Sequence, residues 1–106
     1  MKVINKREIY ADEIYLIYEI ENDFHFQFVV SLTAYSPSHM VCTIVGDGCQ
    51  IRFIITETML KSNSVNQVRT TEHFTYYELE VFRQCKEFIN NSLPELFQMV
   101  VRKWLI

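Results

Sequence analysis

Apolar and polar residues alternate over most of the first two thirds of the chain, which is typical of half-buried β-strands. Two strands are predicted at residues 13–20 and 24–32, joined by a three-residue loop at 21–23. In that register Ile20 faces Phe24, and one side of the hairpin is continuously apolar. A two-residue turn would mix apolar and polar side chains on both sides, so the longer loop is predicted.

The other side of this first hairpin combines apolar, polar and charged residues. The predicted register pairs Tyr15 with Val29, Ile17 with Gln27, and Glu19 with His25. Helices packed on one side of a sheet leave its other side open. These side chains are therefore expected to remain available for contact with a partner.

A second hairpin is predicted around Asp47 and Gly48, which suit the two positive-φ positions of a type I′ turn. The turn sets the register of its two strands: Ile44 with Ile51, Cys42 with Phe53, Met40 with Ile55, Thr43 with Arg52, and Val41 with Ile54. Cys42 and Cys49 are not opposite each other, which disfavours a disulfide between them. Residues 2–10 are a further, weaker strand candidate.

The last third changes to helical spacing. Thr75 and Glu78 form a capping-box pattern, which predicts a helix from Tyr76 to about Asn90. A second helix is predicted to begin at Ser92, because Pro94 and Glu95 follow in its first turn.

The second predicted helix is apolar around more than half of its circumference. Its apolar residues include Met99 and Trp104. Such a helix needs two apolar neighbours: the sheet on one side, and either the preceding helix or another subunit on the other.

Together these elements predict one α+β domain over residues 1–106. An antiparallel sheet of four or five strands, built from hairpins, occupies residues 1–60. A polar connection follows at 61–69, and two C-terminal helices at 70–106 pack on one face of the sheet.

The composition narrows the functional class. Ten basic and thirteen acidic residues give a formal charge of −3, which disfavours nucleic-acid binding. The chain has no apolar run of about 18 residues and no recognisable secretory signal, so no membrane interaction is expected. Three cysteines, an odd number, are expected to be reduced thiols in a cytoplasmic protein.

Candidate chemistry is sparse. The only glycines are Gly46 and Gly48, which excludes both the phosphate-binding loop and the dinucleotide-binding fingerprint. The histidines and cysteines lack the spacing of a metal site. Cys49 is expected to be the most exposed thiol, but no histidine is placed beside it. No catalytic, cofactor-binding or metal-binding residue is assigned, and no cofactor is expected.

The functional prediction is a small non-catalytic module that binds a partner protein, in the manner of an inhibitor, an immunity-type protein or a chaperone. The partner is expected to be basic, because the first hairpin is acidic, and the leftover apolar surface predicts a homodimer. The predicted partner-binding residues are Tyr15, Ile17, Val29, Glu19, Glu21, Asp23, Met99 and Trp104.

An alternative is a small-molecule-binding domain or a small enzyme with a pocket between the sheet and the helices. The lining predicted for that pocket is Phe26, Phe28, Phe53, Phe82 and Trp104.

Overall fold

The computed structural model of the protein describes residues 1–65 and 74–106, and contains a five-stranded antiparallel sheet. The strands are β1 (Lys2–Tyr10), β2 (Ile14–Glu21), β3 (Gln27–Ser36), β4 (His39–Gly46) and β5 (Cys49–Ile55). Their order in the sheet follows their order in the sequence, and every neighbouring pair is antiparallel. The predicted antiparallel sheet is confirmed, and residues 2–10 form a strand.

The hairpin formed by β4 and β5 has the predicted register at every pair. Asp47 and Gly48 adopt φ values of 46° and 75°, as a type I′ turn requires. Gly46, just before the turn, has a φ of 150°, and an added Cβ there would lie 2.4 Å from the carbonyl oxygen of Gln27. A glycine at this position therefore allows the end of β4 to approach β3 closely.

The register predicted between the first two strands is wrong by four residues. Ile20 pairs with Phe28 instead of Phe24, and the connection spans residues 22–26. The Asn22 side chain accepts hydrogen bonds from the backbone N–H groups of Phe24 and Phe26, both at 3.0 Å, and this stabilises the longer loop. A shift of four residues preserves the face of every side chain, so the predicted apolar side remains apolar.

The two predicted C-terminal helices are a single long helix. A short helix, α1 (Glu57–Ser62), overlaps the predicted polar connection; α2 (Tyr76–Val100) follows and continues as a π-helical segment over Val101–Leu105. The capping box at Thr75 and Glu78 is confirmed. Residues 66–69 of the predicted connection and residues 70–73 of the predicted helical segment lie outside the described residues.

The predicted helix boundary at residues 90–92 is absent because those side chains have other partners. The Ser92 hydroxyl donates to the carbonyl of Phe88 at 2.9 Å, and the Asn90 side chain accepts from the backbone N–H of Val65 at 2.8 Å. Pro94 removes one backbone hydrogen bond, and Leu93 and Leu96 are fully buried on either side of it. Burial of these turns compensates for the lost bond.

The helices pack on one face of the sheet, and the core lies between the two layers. Burial alternates along β2 and β5, with every second residue buried. The largest fully buried side chains come from both layers: Phe28, Ile14, Leu16, Ile20, Leu32, Ile44, Ile51, Ile55, Ile89, Leu93, Leu96 and Val30. No helix among the described residues has both the length and the apolar character needed to cross a membrane.

Candidate functional site

The sheet side opposite the helices, called the reverse face below, is the candidate interaction surface. In the strand register it consists of Lys2, Asn5, Arg7, Ile9, Tyr15, Ile17, Glu19, Glu21, Gln27, Val29, Ser31, Thr33, Val41, Thr43, Val45, Gln50, Arg52 and Ile54. The described helices lie on the other side, so side chains of these residues project away from the core.

An apolar row crosses all five strands of the reverse face. Its members are direct neighbours in the register, in the order Ile9, Tyr15, Thr33, Val41 and Ile54. Val41, on a central strand, is only 2% exposed, whereas Ile54, on the edge strand β5, is 62% exposed. Thr33, at 7% exposed, and Val41 are therefore already buried at the middle of the row, and only its apolar ends are open.

The next row combines apolar and charged side chains. Arg7 and Arg52 stand at its two ends, and Ile17, Ser31 and Thr43 lie between them. Arginine side chains at the edge of an apolar strip are typical of the polar rim of a protein interface.

A third row carries Asn5, Glu19, Val29, Val45 and Gln50 in register. Val29 and Val45 are exposed on adjacent strands. The reverse face thus brings together Tyr15, Ile17, Val29, Glu19 and Glu21, five of the residues predicted to bind a partner.

The acidic residues of the first hairpin are less isolated than the sequence suggests. Glu21 lies opposite Lys2 of β1, and its carboxylate is 2.7 Å from Nδ1 of His25. His25 therefore pairs with Glu21, and the predicted pairing with Glu19 is wrong. Asp23 lies exposed in the connecting loop, next to the reverse face in sequence and outside its strands.

Met99 and Trp104 are not part of the reverse face. Met99 is 7% exposed and belongs to the core, and Trp104 is half-buried against that core on the helix side. The sheet covers most of the apolar surface of this helix, which explains its broad apolar arc. Phe97 and Leu105 remain exposed near its end.

All three cysteines are buried, and Cys49 is the most exposed of them, as predicted, although only by a small margin. Cys49 is 3% exposed, and burial raises its pKa to about 11. Burial likewise raises the pKa of Cys85 to about 12. All three thiols are free, and the described residues contain no cluster of metal-ligating side chains. His73 lies outside the described residues.

A polar cluster between β1 and α2 was not predicted. The Lys6 ammonium donates to both carboxylate oxygens of Glu95, at 2.7 and 2.9 Å, and lies 3.1 Å from Glu8. Tyr18 also donates to Glu95, at 3.3 Å. Burial acts to raise the pKa of Glu95, but the hydrogen bonds and charge of Lys6 hold it below its usual value. No local sequence signal indicates this contact, because the partners are 89 positions apart.

The region predicted as an aromatic pocket, the alternative site, is filled by packed core side chains. Phe28, Phe53 and Phe82 are core residues, and the rings of Phe53 and Phe82 meet edge to face at 5.6 Å. Phe26 is exposed in the β2–β3 loop.

A groove of about 340 Å³ lies elsewhere, between α1, the end of α2 and the ends of β4 and β5. Its apolar lining includes Met40, Ile54, Ile55, Leu60, Phe97, Val100 and Leu105.

Comparison of the chain with protein-family models, with curated proteins and with solved structures finds no match. A function is therefore inferred from the surfaces of the chain itself.

Proposed function

We propose that this chain is a small non-catalytic protein-binding module, and that it acts by covering a partner's surface with its reverse face. The observation that carries this proposal is the row from Ile9 to Ile54, whose apolar ends are exposed on the sheet side away from the helices while Thr33 and Val41 at its middle are buried. Apolar strips bordered by charged side chains are typical of protein interfaces.

The exposed part of this row is large enough to contribute to binding. Full burial of an isoleucine side chain contributes about 1.5–3 kcal/mol. Ile54 is 62% exposed, so its burial against a partner contributes about 1–2 kcal/mol. Val29 and Val45 add further exposed apolar area on the same face.

The cysteine environments also support a binding role. A thiol acts as a nucleophile through its thiolate, and the raised pKa values of Cys49 and Cys85 disfavour that form. Free thiols are compatible with the proposed cytoplasmic location.

The charges of the reverse face favour a partner that carries both signs. Arg7 and Arg52 lie on the edge strands, while Glu19 and Glu21 lie on β2. The structure thus places basic side chains beside the acidic hairpin, and a purely basic partner would be repelled by them.

Photo-crosslinking tests the proposed face. The photoreactive amino acid benzoylphenylalanine is placed at Ile17 on the reverse face, and in a control at Gln98, which is exposed on α2. After irradiation, covalent adducts with a protein are expected at Ile17 and not at Gln98. Equal labelling at both positions, or no adduct at Ile17, would contradict the proposal.

The groove at the end of α2 favours a second candidate function, the binding of a small apolar molecule. Its volume and apolar lining suit an aliphatic chain. Calorimetric titration with decanoate tests it, using Leu105→Trp to obstruct the groove and Ile106→Trp as the adjacent exposed control. Binding that only Leu105→Trp weakens would support this function, and no heat of binding would exclude decanoate as a ligand.

A further inference from the structure

We infer that the partner which covers the reverse face is a second copy of this chain, packed sheet against sheet with the helices of both copies on the outside. This inference rests on the proposed function and identifies its partner. It is supported by the charge of the face, by its area, and by the chemistry of the sheet edge.

The reverse face carries charges of both signs, although the chain as a whole has a formal charge of −3. Its basic side chains are Lys2, Arg7 and Arg52. Its acidic side chains are Glu19 and Glu21. A face of one sign would repel its own copy, whereas a face carrying both signs can set unlike charges opposite each other.

The area of the face is close to the minimum for a stable dimer. Five strands about 4.8 Å apart, each about seven residues long at roughly 3.4 Å per residue, cover a rectangle of about 24 by 24 Å. Two such faces in contact remove about 1,150 Å² or more from solvent. This approaches the lower end of the range for stable protein interfaces, about 1,200–2,000 Å² in total.

The apolar row provides the contact that a sheet-on-sheet interface requires. Sheets pack face to face at about 10 Å through interdigitating side chains. Ile9, Tyr15 and Ile54 lie on that row, and Ile17 lies beside it. Pairing two rows would cover on each copy the side chains that its own helices leave open.

Self-association through the face is favoured over association through the edge strand β1. An edge strand can add to another sheet through its unpaired backbone groups, and natural edges oppose this with charges and bulges. β1 has both features: Lys2, Lys6, Arg7 and Glu8 are exposed, and the register shifts between Val3 and Asn5. The edge is therefore poorly suited to pairing with a second copy.

Sedimentation equilibrium of the purified chain tests the inference. The protomer mass is 12.7 kDa, and the wild type is expected to approach twice that mass between about 1 and 300 µM. Ile54→Lys is expected to raise the dissociation constant at least about tenfold. Tyr76→Lys is the control, because Tyr76 is 94% exposed at the start of α2, away from both the reverse face and the groove at the end of α2.

Three results would overturn the inference: a monomer at every concentration, a dimer that Ile54→Lys does not weaken, or equal weakening by both variants. Val45→Lys, at a second exposed position of the face, confirms that the effect belongs to the surface. Circular dichroism verifies that each variant is folded.

Crosslinking at Ile17 separates this inference from the proposed function. Adducts of the chain with itself in the purified sample support both. If the purified chain is monomeric and forms adducts at Ile17 with a different protein in a lysate, the inference of a second copy is overturned and the proposed binding function is retained. A monomer without any adduct overturns both.

Discussion

Replacing Gly46 with alanine is expected to destabilise the fold far more than replacing Gly48, although the two glycines stand two residues apart in one hairpin. At Gly48 an added Cβ meets no atom within 4 Å, and only the φ of 75° is unfavourable. At Gly46 the Cβ would lie 2.4 Å from the carbonyl oxygen of Gln27 and 2.9 Å from the Cα of Phe28. Both of those are backbone atoms of the adjacent part of the sheet.

The two substitutions differ in magnitude because only one combines strain with a steric clash. A left-handed conformation costs an alanine about 1–2 kcal/mol, which is the expected loss for Gly48→Ala. At Gly46 the φ of 150° is itself unfavourable for alanine. In addition, β3 and β4 must separate by about 0.6 Å to restore a tolerable contact. A loss of at least about 3 kcal/mol is expected for Gly46→Ala.

Urea denaturation of the two variants and the wild type, followed by circular dichroism, measures both losses. The slope of the unfolding free energy against urea is expected to be unchanged, so the midpoints report stability directly. Equal losses for the two variants, or a smaller loss for Gly46→Ala, would refute the close approach of β4 to β3 at this point.

Three further predictions concern the helix and the core. Glu95→Gln is expected to remove about 0.5–1 kcal/mol at pH 7. Because folding lowers the pKa of Glu95, this stabilisation is lost as pH falls through that pKa, so the cost of the substitution is expected to shrink on acidification, and a cost independent of pH would contradict this. Asn90→Ala leaves the buried N–H of Val65 unpaired and is expected to lower the free energy of unfolding, measured by urea denaturation, by about 1–3 kcal/mol. The control Asn91→Ala changes an exposed side chain and is expected to cost less than about 0.5 kcal/mol; similar costs for both would argue against the hydrogen bond between Val65 and Asn90. The thiol reagent dithionitrobenzoate is expected to label the folded chain slowly, because its cysteines are buried, and to label all three cysteines rapidly in denaturant. Fast labelling of Cys49 in the folded chain would contradict its burial.

Local chemistry explains why one hairpin register was predictable and the other was not. A two-residue turn at Asp47 and Gly48 determines the pairing of β4 with β5, and the prediction is confirmed. In the first hairpin, shifting the partner strand by four residues leaves the apolar face intact, so alternation alone cannot choose between registers. The hydrogen bonds that the Asn22 side chain accepts stabilise the loop of the observed register, and the alternation of apolar and polar residues does not indicate them.

The helix boundary illustrates the opposite case, where a strong local signal is overridden. Ser92, Pro94 and Glu95 match the start of a helix, yet Leu93 and Leu96 are fully buried against the sheet within one continuous helix. Burial of two leucines contributes about 3–6 kcal/mol, which exceeds the value of a helix cap at about 1 kcal/mol. Glu95 binds Lys6 of β1, a contact that no local pattern indicates.

The sequence by itself determined the α+β class, the antiparallel sheet built from hairpins, and the face of the sheet on which most strand residues lie. These features depend on the short-range alternation of apolar and polar residues and on turn chemistry, both of which are local in the sequence. Only the tertiary structure decided which apolar residues stay open. Met99 enters the core because α2 packs on the sheet, and on the reverse face Val41 is buried whereas its neighbour Ile54 stays exposed. The mixture of charges on the reverse face was decided in the same way, because pairing of β1 with β2 brings Arg7 beside the acidic strand.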